Sequence, residues 1–145
     1  RNTVQIGNYN FKTTGIPVKS FLYENGEEVK IIDGTKEDFS KRFVKIIKYL
    51  KNEDIKLGDI TILSPKRYEN SSVYKLLDNI CKINVMSEEF EPDDNRPVFS
   101  TIQGFKGLDS KVVILIDLDK SKEEYFVKYS YIGISRARSL LYVFW

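Results

Sequence analysis

A chain of 145 residues, of which 41% are hydrophobic and 30% charged, has the size and composition of one globular domain rather than of a disordered or membrane-spanning protein. It contains no histidine and a single cysteine, Cys81, which excludes an internal disulfide, a Cys/His metal centre and any catalytic pair or triad that needs histidine. The formal net charge of +2 neither requires nor excludes a nucleic-acid partner, so binding of that kind has to come from a local site.

The cellular compartment and the extent of the chain can also be predicted. No apolar run approaches the roughly 18 residues of a membrane-spanning helix, and no basic segment leads into an apolar one at the amino terminus. Together with the lone cysteine, this predicts a cytoplasmic protein without a membrane partner. The first residue is Arg1 rather than methionine. We therefore expect one domain, residues 1–145, that is a fragment of a longer chain.

The first third of the chain predicts two short strands and a helix. From Arg1 to Ile16 the sequence is polar and rich in turn-forming residues, and we predict no element there. Strands are predicted at Val18–Tyr23 and Val29–Asp33, on either side of the hairpin-forming pair Asn25-Gly26. Apolar residues then recur at helical spacing, which predicts a helix over Asp38–Asn52.

Strands and helices alternate along the rest of the chain. This order is typical of an α/β domain with a parallel sheet and right-handed crossovers. Such sheets bind ligands beyond the carboxyl ends of their strands, so we expect a site in the loops after Ser64, Ile102 and Asp117. The predicted strands are Asp59–Ser64, Ile83–Met86, Val98–Ile102, Val112–Asp117 and Leu140–Phe144, the predicted helices are Asn70–Cys81 and Glu123–Arg138, and the acidic stretch Glu88–Asp94 is predicted to be a surface loop.

A segment with two glycines, FSTIQGFKGLD at Phe99–Asp109, follows one of the predicted strands. Gly104 and Gly107 allow close backbone approach to a ligand, and Lys106 between them supplies a positive charge for phosphate. Taken alone, a turn of this composition is more often structural than ligand-binding. It is not a Walker A loop, because the sequence contains no Gly-Lys-Ser or Gly-Lys-Thr.

The apolar run VVILID, which ends at Asp117, resembles a Walker B strand whose aspartate holds Mg²⁺. Because the chain has no Walker A loop, we favour a core strand whose Asp117 and Asp119 enter a loop. A continuous apolar run of this kind is typical of a parallel strand that is covered on both faces.

Two arginines lie at the end of the last predicted helix, in the segment YIGISRARSL. Arg136 and Arg138 stand two positions apart, so on a helix they would point in separate directions and would not both enter one site. An arginine directed into a cleft can stabilise the charge on a transferring phosphoryl group. The alternative is that both are surface residues. The small residues Gly133, Ser135 and Ala137 allow this helix to pack closely.

Taken together, the two segments resemble a known family. FSTIQGFKGLDSKVVILID is similar to motif V of superfamily 1 helicases of the UvrD/Rep type, usually written around Thr-x-His-x-x-Lys-Gly-Leu-Glu, and YIGISRARSLLYVF is similar to their motif VI, Tyr-Val-Gly-Ile-Thr/Ser-Arg-Ala. The opening RNTVQI resembles the end of motif IV, and DITILSPKR resembles a strand of the same domain. The resemblance implies a RecA-like, three-layer α/β fold with a mostly parallel sheet that lacks its own Walker A loop.

The resemblance also implies a set of ATP-facing residues. Arg136 would be the catalytic arginine finger that reaches the γ-phosphate from across an interdomain cleft, and Arg1 would be a second arginine on that phosphate. Asp109 stands where the family usually has the glutamate that contacts the nucleotide ribose, and Gly107 shapes the adjoining loop. ATP with Mg²⁺ would be bound mainly by a first RecA-like domain of the same parent chain.

A DNA-facing set is implied in the same way. Thr101 would contact the backbone of single-stranded DNA, and Lys106 would shape the loop between the two ligand sites. Gln103 replaces the usual histidine, which keeps a hydrogen-bonding side chain but loses ring stacking. Phe105 is a further candidate for a base or interface contact. The pair Lys66-Arg67 is a candidate for contacts to backbone phosphates.

We therefore predict the second motor domain of an ATP-dependent DNA helicase or translocase, with single-stranded DNA and the first RecA-like domain as partners and no metal site of its own. Alone, it should be inactive. Two alternatives remain open: a parent that joins a helicase-like core to a nuclease or other repair activity, and a non-catalytic nucleic-acid or protein-binding module with a decayed ATPase face. The stretch Pro65–Pro97 is too short for the accessory domain that UvrD and Rep insert before motif V, so the resemblance is to a compact relative.

Overall fold

Six strands form one sheet in a computed structural model, which describes residues 2–16, 26–32 and 36–144 of the chain. The strands are β1 (Lys30–Ile32), β2 (Ile60–Ser64), β3 (Asn84–Val85), β4 (Val98–Thr101), β5 (Ser110–Leu115) and β6 (Ala137–Phe144). Their spatial order is β1-β6-β5-β2-β4-β3, and every pair in that sheet is parallel. The predicted α/β class with a parallel sheet is confirmed.

Helices cover both faces of the sheet, which makes three layers. The helices are α1 (Val4–Thr14), α2 (Lys36–Asn52) and α3 (Glu123–Ser135). Phe43 and Ile47 of α2 are buried in the core on one face, whereas Ile6 of α1 and Ile134 of α3 are buried in the core on the other. Among the described residues, no helix combines the length and the apolar character needed to cross a bilayer.

The central strand β5 shows why these residues form a sheet with two covered faces. Val112 and Ile114 lie in the core beneath α2, and the alternating residues Val113 and Leu115 lie in the core beneath α1 and α3. All four are fully buried. Burial of such a side chain contributes roughly 1.5–3 kcal/mol. The prediction of a core strand within VVILID is confirmed.

The first helix, α1, was not predicted, although both of its ends carry capping residues. The side chain of Thr3 accepts a hydrogen bond from the backbone N–H of Ile6 at 3.4 Å. At the other end, Gly15 has a φ of 72° and donates its N–H to the carbonyl of Phe11. The sequence does not predict this helix because most residues between the caps are polar. The side that packs on the sheet is narrow and includes the buried Asn10.

The predicted helix over Asn70–Cys81 is wrong, and a series of turns takes its place. Lys75 has a φ of 58°, which interrupts a right-handed helix. Its N–H donates to the Tyr68 hydroxyl at 3.1 Å rather than to a preceding carbonyl. Val73 and Leu77 are buried, as the helical spacing predicted. Ile80, which the same spacing placed inward, is 37% exposed, so the periodicity located only part of the buried set and did not predict the backbone.

The last helix and strand meet earlier than predicted. α3 ends at Ser135 rather than at Arg138, and β6 starts at Ala137 rather than at Leu140. Parallel pairing with β5 extends β6 towards its amino end, since Ala137 lies opposite Ser110. Arg138 is therefore a strand residue, which changes the predicted relation between the two arginines.

Two strands predicted in the first third of the chain and one predicted surface loop remain to be compared with the structure. The strand predicted at Val18–Tyr23, and with it the Asn25 position of the hairpin turn, lies outside the described residues. The strand predicted at Val29–Asp33 is observed as β1, which pairs in parallel with β6. The acidic stretch Glu88–Asp94 is a largely exposed loop, as predicted.

Candidate functional site

The segment between β4 and β5, residues 102–109, carries most of the predicted site residues. Strands β4 and β5 are parallel and both flank β2, so this segment runs from the carboxyl end of β4 to the amino end of β5. No α-helix intervenes. Ile102 and Phe105 are buried beneath α1 and α3 along the way. Phe105 is a core residue, so the expectation that it contacts a base or a partner is wrong.

The predicted site residues consequently fall at two opposite edges of the sheet. Thr101 and Gln103 lie where β4 ends, whereas Asp109 precedes β5 and Arg136 precedes β6. Strand β5 has six residues, so these edges are about 17 Å apart at about 3.3 Å per residue. One short segment thus joins two separate places where a ligand can bind.

Arg136 lies at the amino edge, where α3 turns into β6. Its Nη1 donates to the carbonyl of Leu108 at 3.1 Å, and its Nε and Nη2 donate to Ser135 Oγ at 3.2 and 3.0 Å. The backbone carbonyl of Arg136 accepts a hydrogen bond from Ser110 at the start of β5. A guanidinium has five N–H groups, so two of them have no acceptor among the described residues. The arrangement holds the side chain in place and leaves donors for an anion.

Asp109 is paired with the second arginine of the segment. Its Oδ1 lies 3.2 Å from Nε of Arg138, and both side chains are half exposed. The prediction that the two arginines point to separate places is wrong, because Arg136 bonds to Leu108 and Arg138 to the next residue. An exposed ion pair contributes no more than about 1 kcal/mol. A ligand that offers Asp109 a good hydrogen bond can therefore replace Arg138.

Asn2 fixes the amino end of the chain to this same edge, which the sequence did not indicate. Its Nδ2 donates to the carbonyl of Ala137 at 2.7 Å and lies 3.2 and 3.3 Å from the carbonyls of Ser135 and Ile134. The residue is 2% exposed. It therefore satisfies carbonyls at the end of α3, on both sides of Arg136. Arg1, the predicted second arginine on the phosphate, lies outside the described residues.

We expect Asn2→Ala to lower the free energy of unfolding by about 1–3 kcal/mol, because carbonyls at the end of α3 would remain buried without a donor. Urea denaturation monitored by circular dichroism measures the loss. Asn8→Ala is the matched control, since Asn8 is an exposed residue of α1. Equal effects of the two substitutions would contradict a specific role for Asn2.

The two glycines of the crossing segment have different structural roles. Gly107 has a φ of 83°, a conformation that side chains disfavour, and it turns the chain towards β5. Gly104 instead lies against Thr101, and a Cβ added there would be 2.8 Å from Thr101 Oγ1. Lys106 between them is exposed. The glycines therefore shape this segment whether or not a ligand binds to it.

The carboxyl edge places polar groups of β4 beside α3. Thr101 Oγ1 accepts a hydrogen bond from the N–H of Gly104 at 3.0 Å, which fixes the orientation of its hydroxyl group. Gln103 Nε2 donates to the hydroxyl of Tyr129 on α3 at 2.6 Å. Tyr129 was not predicted as a site residue. The four-residue spacing of Tyr125 and Tyr129 along the sequence is the feature that indicates a shared helix face.

The basic turn Lys66-Arg67 also lies at the carboxyl edge, directly after β2, and both residues are exposed. Asp117 holds the chain on either side of this turn: its Oδ2 accepts hydrogen bonds from Ser64 Oγ at 3.0 Å and from the Ser72 N–H at 3.1 Å. The Ser72 hydroxyl donates to its other oxygen. Asp117 follows the end of β5, as the core-strand interpretation predicted, and its carboxylate has a structural function.

Comparison with known proteins identifies the fold. No protein-family model and no curated protein sequence matches the chain. Among solved structures, the chain is similar to the C-terminal domain of a possible DNA helicase from Lactobacillus plantarum WCFS1, with a TM-score of 0.75 and 15% identity over 99% of this chain and 85% of that one. The chain has the RecA-like fold of a helicase C-terminal domain. The chain also has a weaker likeness to the C-terminal part of the Fun30 ATPase domain, with a TM-score of 0.42 and 14% identity over 74% of this chain and 40% of that one, which is too low to show a shared fold.

Proposed function

We propose that this RecA-like domain is the second motor domain of an ATP-dependent superfamily 1 DNA helicase or translocase of the UvrD/Rep type. The observation that carries the proposal is the separation of two residue sets by one crossing segment. Asp109 and Arg136 lie together at one edge of the sheet, and Thr101 and Gln103 lie at the other. A motor needs such a connection between a nucleotide site and a nucleic-acid site.

The amino edge fits the phosphate and ribose of a nucleotide held by another domain. ATP with Mg²⁺, bound mainly by a first RecA-like domain of the parent chain, supplies the phosphoryl group that is transferred. Arg136 has two N–H groups without acceptors among the described residues and contacts the carbonyl of Leu108, the residue before Asp109. In the proposal, the guanidinium stabilises the charge that develops on the γ-phosphate, while Asp109 leaves Arg138 to bind the ribose and Gly107 keeps the backbone close. Arg1 belongs to the same proposed set.

The carboxyl edge fits the backbone of a single strand of DNA. Thr101 is oriented by Gly104 and retains its own hydroxyl proton for a phosphate oxygen. Gln103 and Lys106 add an amide and a positive charge along the same exposed segment. In the proposal, the opening and closing of the two motor domains move the strand across this edge.

A specific observation also favours a second candidate, a non-catalytic nucleic-acid or protein-binding module. Both residues that depart from the family pattern, Asp109 and Gln103, have partners within the domain, Arg138 and Tyr129. Internal partners of this kind are what a decayed ATPase face would acquire. Activity measurements separate this candidate from the motor.

The test is the ATPase rate of the full-length parent protein and of the 145-residue chain, each with and without single-stranded DNA. We expect the parent to hydrolyse ATP faster when DNA is present, and the chain alone to show no turnover. Turnover by the pure chain would contradict this division of labour between two domains. An inactive parent that still binds nucleic acid would favour the binding module.

A further inference from the structure

A cleft of about 390 Å³ opens at the carboxyl edge, and none of the residues that the proposed function assigns to ATP or DNA lines it. Its walls are the turn after β2 at Pro65 and Lys66, the loop after β5, and the tyrosines Tyr125 and Tyr129 of α3. This volume lies within the range of roughly 300–1,000 Å³ that small-molecule sites occupy. The cleft is thus large enough for a planar heterocycle beside an aromatic wall.

The aromatic wall is held in place before any ligand binds. The rings of Tyr125 and Tyr129 are stacked, with centroids 5.8 Å apart and planes inclined by 21°. The hydroxyl of Tyr129 is held by Gln103 at 2.6 Å. Tyr125, on the outer side of this stack, is 61% exposed. An exposed ring on a fixed support offers a base a stacking surface at little cost in conformational entropy.

A second depression lies on the other side of the basic turn. It has a volume of about 260 Å³ and is lined by Arg67, Thr101 and Gly104, among others. The two exposed cations Lys66 and Arg67 therefore stand between the tyrosine cleft and the proposed contact of Thr101 with the DNA backbone. A DNA strand with one phosphate on the basic turn and the neighbouring base in the tyrosine cleft would follow this arrangement.

We propose that the tyrosine cleft binds one unstacked base of single-stranded DNA, against the ring of Tyr125, as the strand passes from Thr101 over Lys66-Arg67. The proposal rests on the function proposed above and adds a base contact to a site that otherwise contacts only the backbone. Because every base has a π face, the cleft accepts any sequence.

The acidic residues of the cleft are compatible with this occupant. The carboxylate of Asp117 accepts hydrogen bonds from Ser64 and Ser72. The hydroxyl of Ser121 donates to Asp119, and so does the backbone N–H of Ser121. Both hydrogen bonds lower the pKa of the Asp119 carboxyl group, and the bond from the hydroxyl has the larger effect. Both carboxylates are thus turned towards protein donors. A neutral base suits the cleft, while the phosphate is placed outside it, on the turn.

The test compares two labelled oligonucleotides by fluorescence anisotropy at low salt: oligo(dT), and an oligomer of equal length with abasic sugars throughout. We expect the 145-residue chain to bind oligo(dT) more tightly by about tenfold or more, since stacking contributes that much per base. Tyr125→Ala and Tyr125→Leu should each remove this preference and leave the affinity for the abasic oligomer unchanged. Tyr125→Phe should keep the preference.

Two further variants separate the base contact from general effects. Tyr49→Ala is the matched control, because Tyr49 is a 56% exposed tyrosine of α2, and it should change neither affinity. Lys66→Gln should weaken the binding of both oligomers alike. A plot of the logarithm of the binding constant against the logarithm of the salt concentration should become less steep, by about 0.7 in slope.

The outcomes also separate this proposal from the proposed function. If Thr101→Val weakens the binding of both oligomers but Tyr125→Ala leaves the preference for oligo(dT) intact, the base pocket is overturned and the proposed DNA site remains. If Tyr125→Ala weakens both oligomers equally, the tyrosine acts on the backbone, and the base pocket is again overturned. If the wild-type chain binds neither oligomer, both proposals fail.

Discussion

Replacing Arg136 with alanine is expected to lower the DNA-stimulated ATPase rate of the full-length parent by about 10³-fold or more, which is the effect of removing an arginine finger. The guanidinium is held between the Leu108 carbonyl and Ser135 Oγ. It is thus positioned in advance, and no side-chain ordering is needed when charge develops on the phosphate. Steady-state kinetics at saturating ATP and DNA measure the loss in kcat.

Two control variants show whether a loss in kcat comes from the missing guanidinium of Arg136 or from a general effect on this edge of the domain. Arg138→Ala removes the neighbouring arginine and an exposed ion pair, so the rate should change by less than about fivefold. Arg136→Lys keeps a charge but loses the planar fork, and it should remain strongly impaired. An Arg136→Ala enzyme with unchanged kcat and a normal melting temperature would mean that the resemblance to motif VI is only structural.

Gly133→Val is expected to lower the free energy of unfolding by about 2–4 kcal/mol through overpacking of the core. A Cβ added at Gly133 would lie 2.7 Å from Cδ1 of Leu115, which is fully buried in β5. Relief requires α3 to move away from the sheet, and Arg136 lies directly after that helix. Chemical denaturation of the 145-residue chain measures the effect.

The cause of that loss can be tested by a double-mutant cycle. Leu115→Ala removes the obstructing methyl groups, so it should make Gly133→Val less damaging than in the wild-type background. Lys128→Val controls for the helix propensity of valine, because Lys128 is an exposed residue of α3. Strictly additive effects of Gly133→Val and Leu115→Ala would show that close packing against Leu115 is not the reason for glycine.

The strands could be predicted because their signal is local. The runs DITILS and VVILID are continuous and apolar, as expected of strands covered on both faces, and both form the centre of the sheet. The helix prediction was wrong where a hydrogen bond to a side chain decides the backbone conformation. Lys75 bonds to Tyr68 within turns, where the spacing of Val73 and Leu77 predicted a helix.

The candidate site was predicted in its parts but not in its arrangement. The motif resemblance named Arg136, Asp109 and Thr101, and it could not indicate that they lie at opposite edges of the sheet. That separation depends on strand direction, because β4 and β5 both run parallel to β2. Asn2 was missed because its hydrogen bond to Ala137 spans nearly the whole chain.

The buried anchors of the crossing segment have a mechanical consequence. Ile102 is fully buried and Phe105 is 4% exposed, so the segment is fastened to the sheet in the middle of its path. The segment cannot move along the sheet from one edge towards the other without breaking core contacts. In a motor of the proposed kind, we therefore expect this domain to behave as a rigid lever. Its step length along DNA would then be set by how far the whole body rotates against its partner, and the flexible joint would lie between the domains.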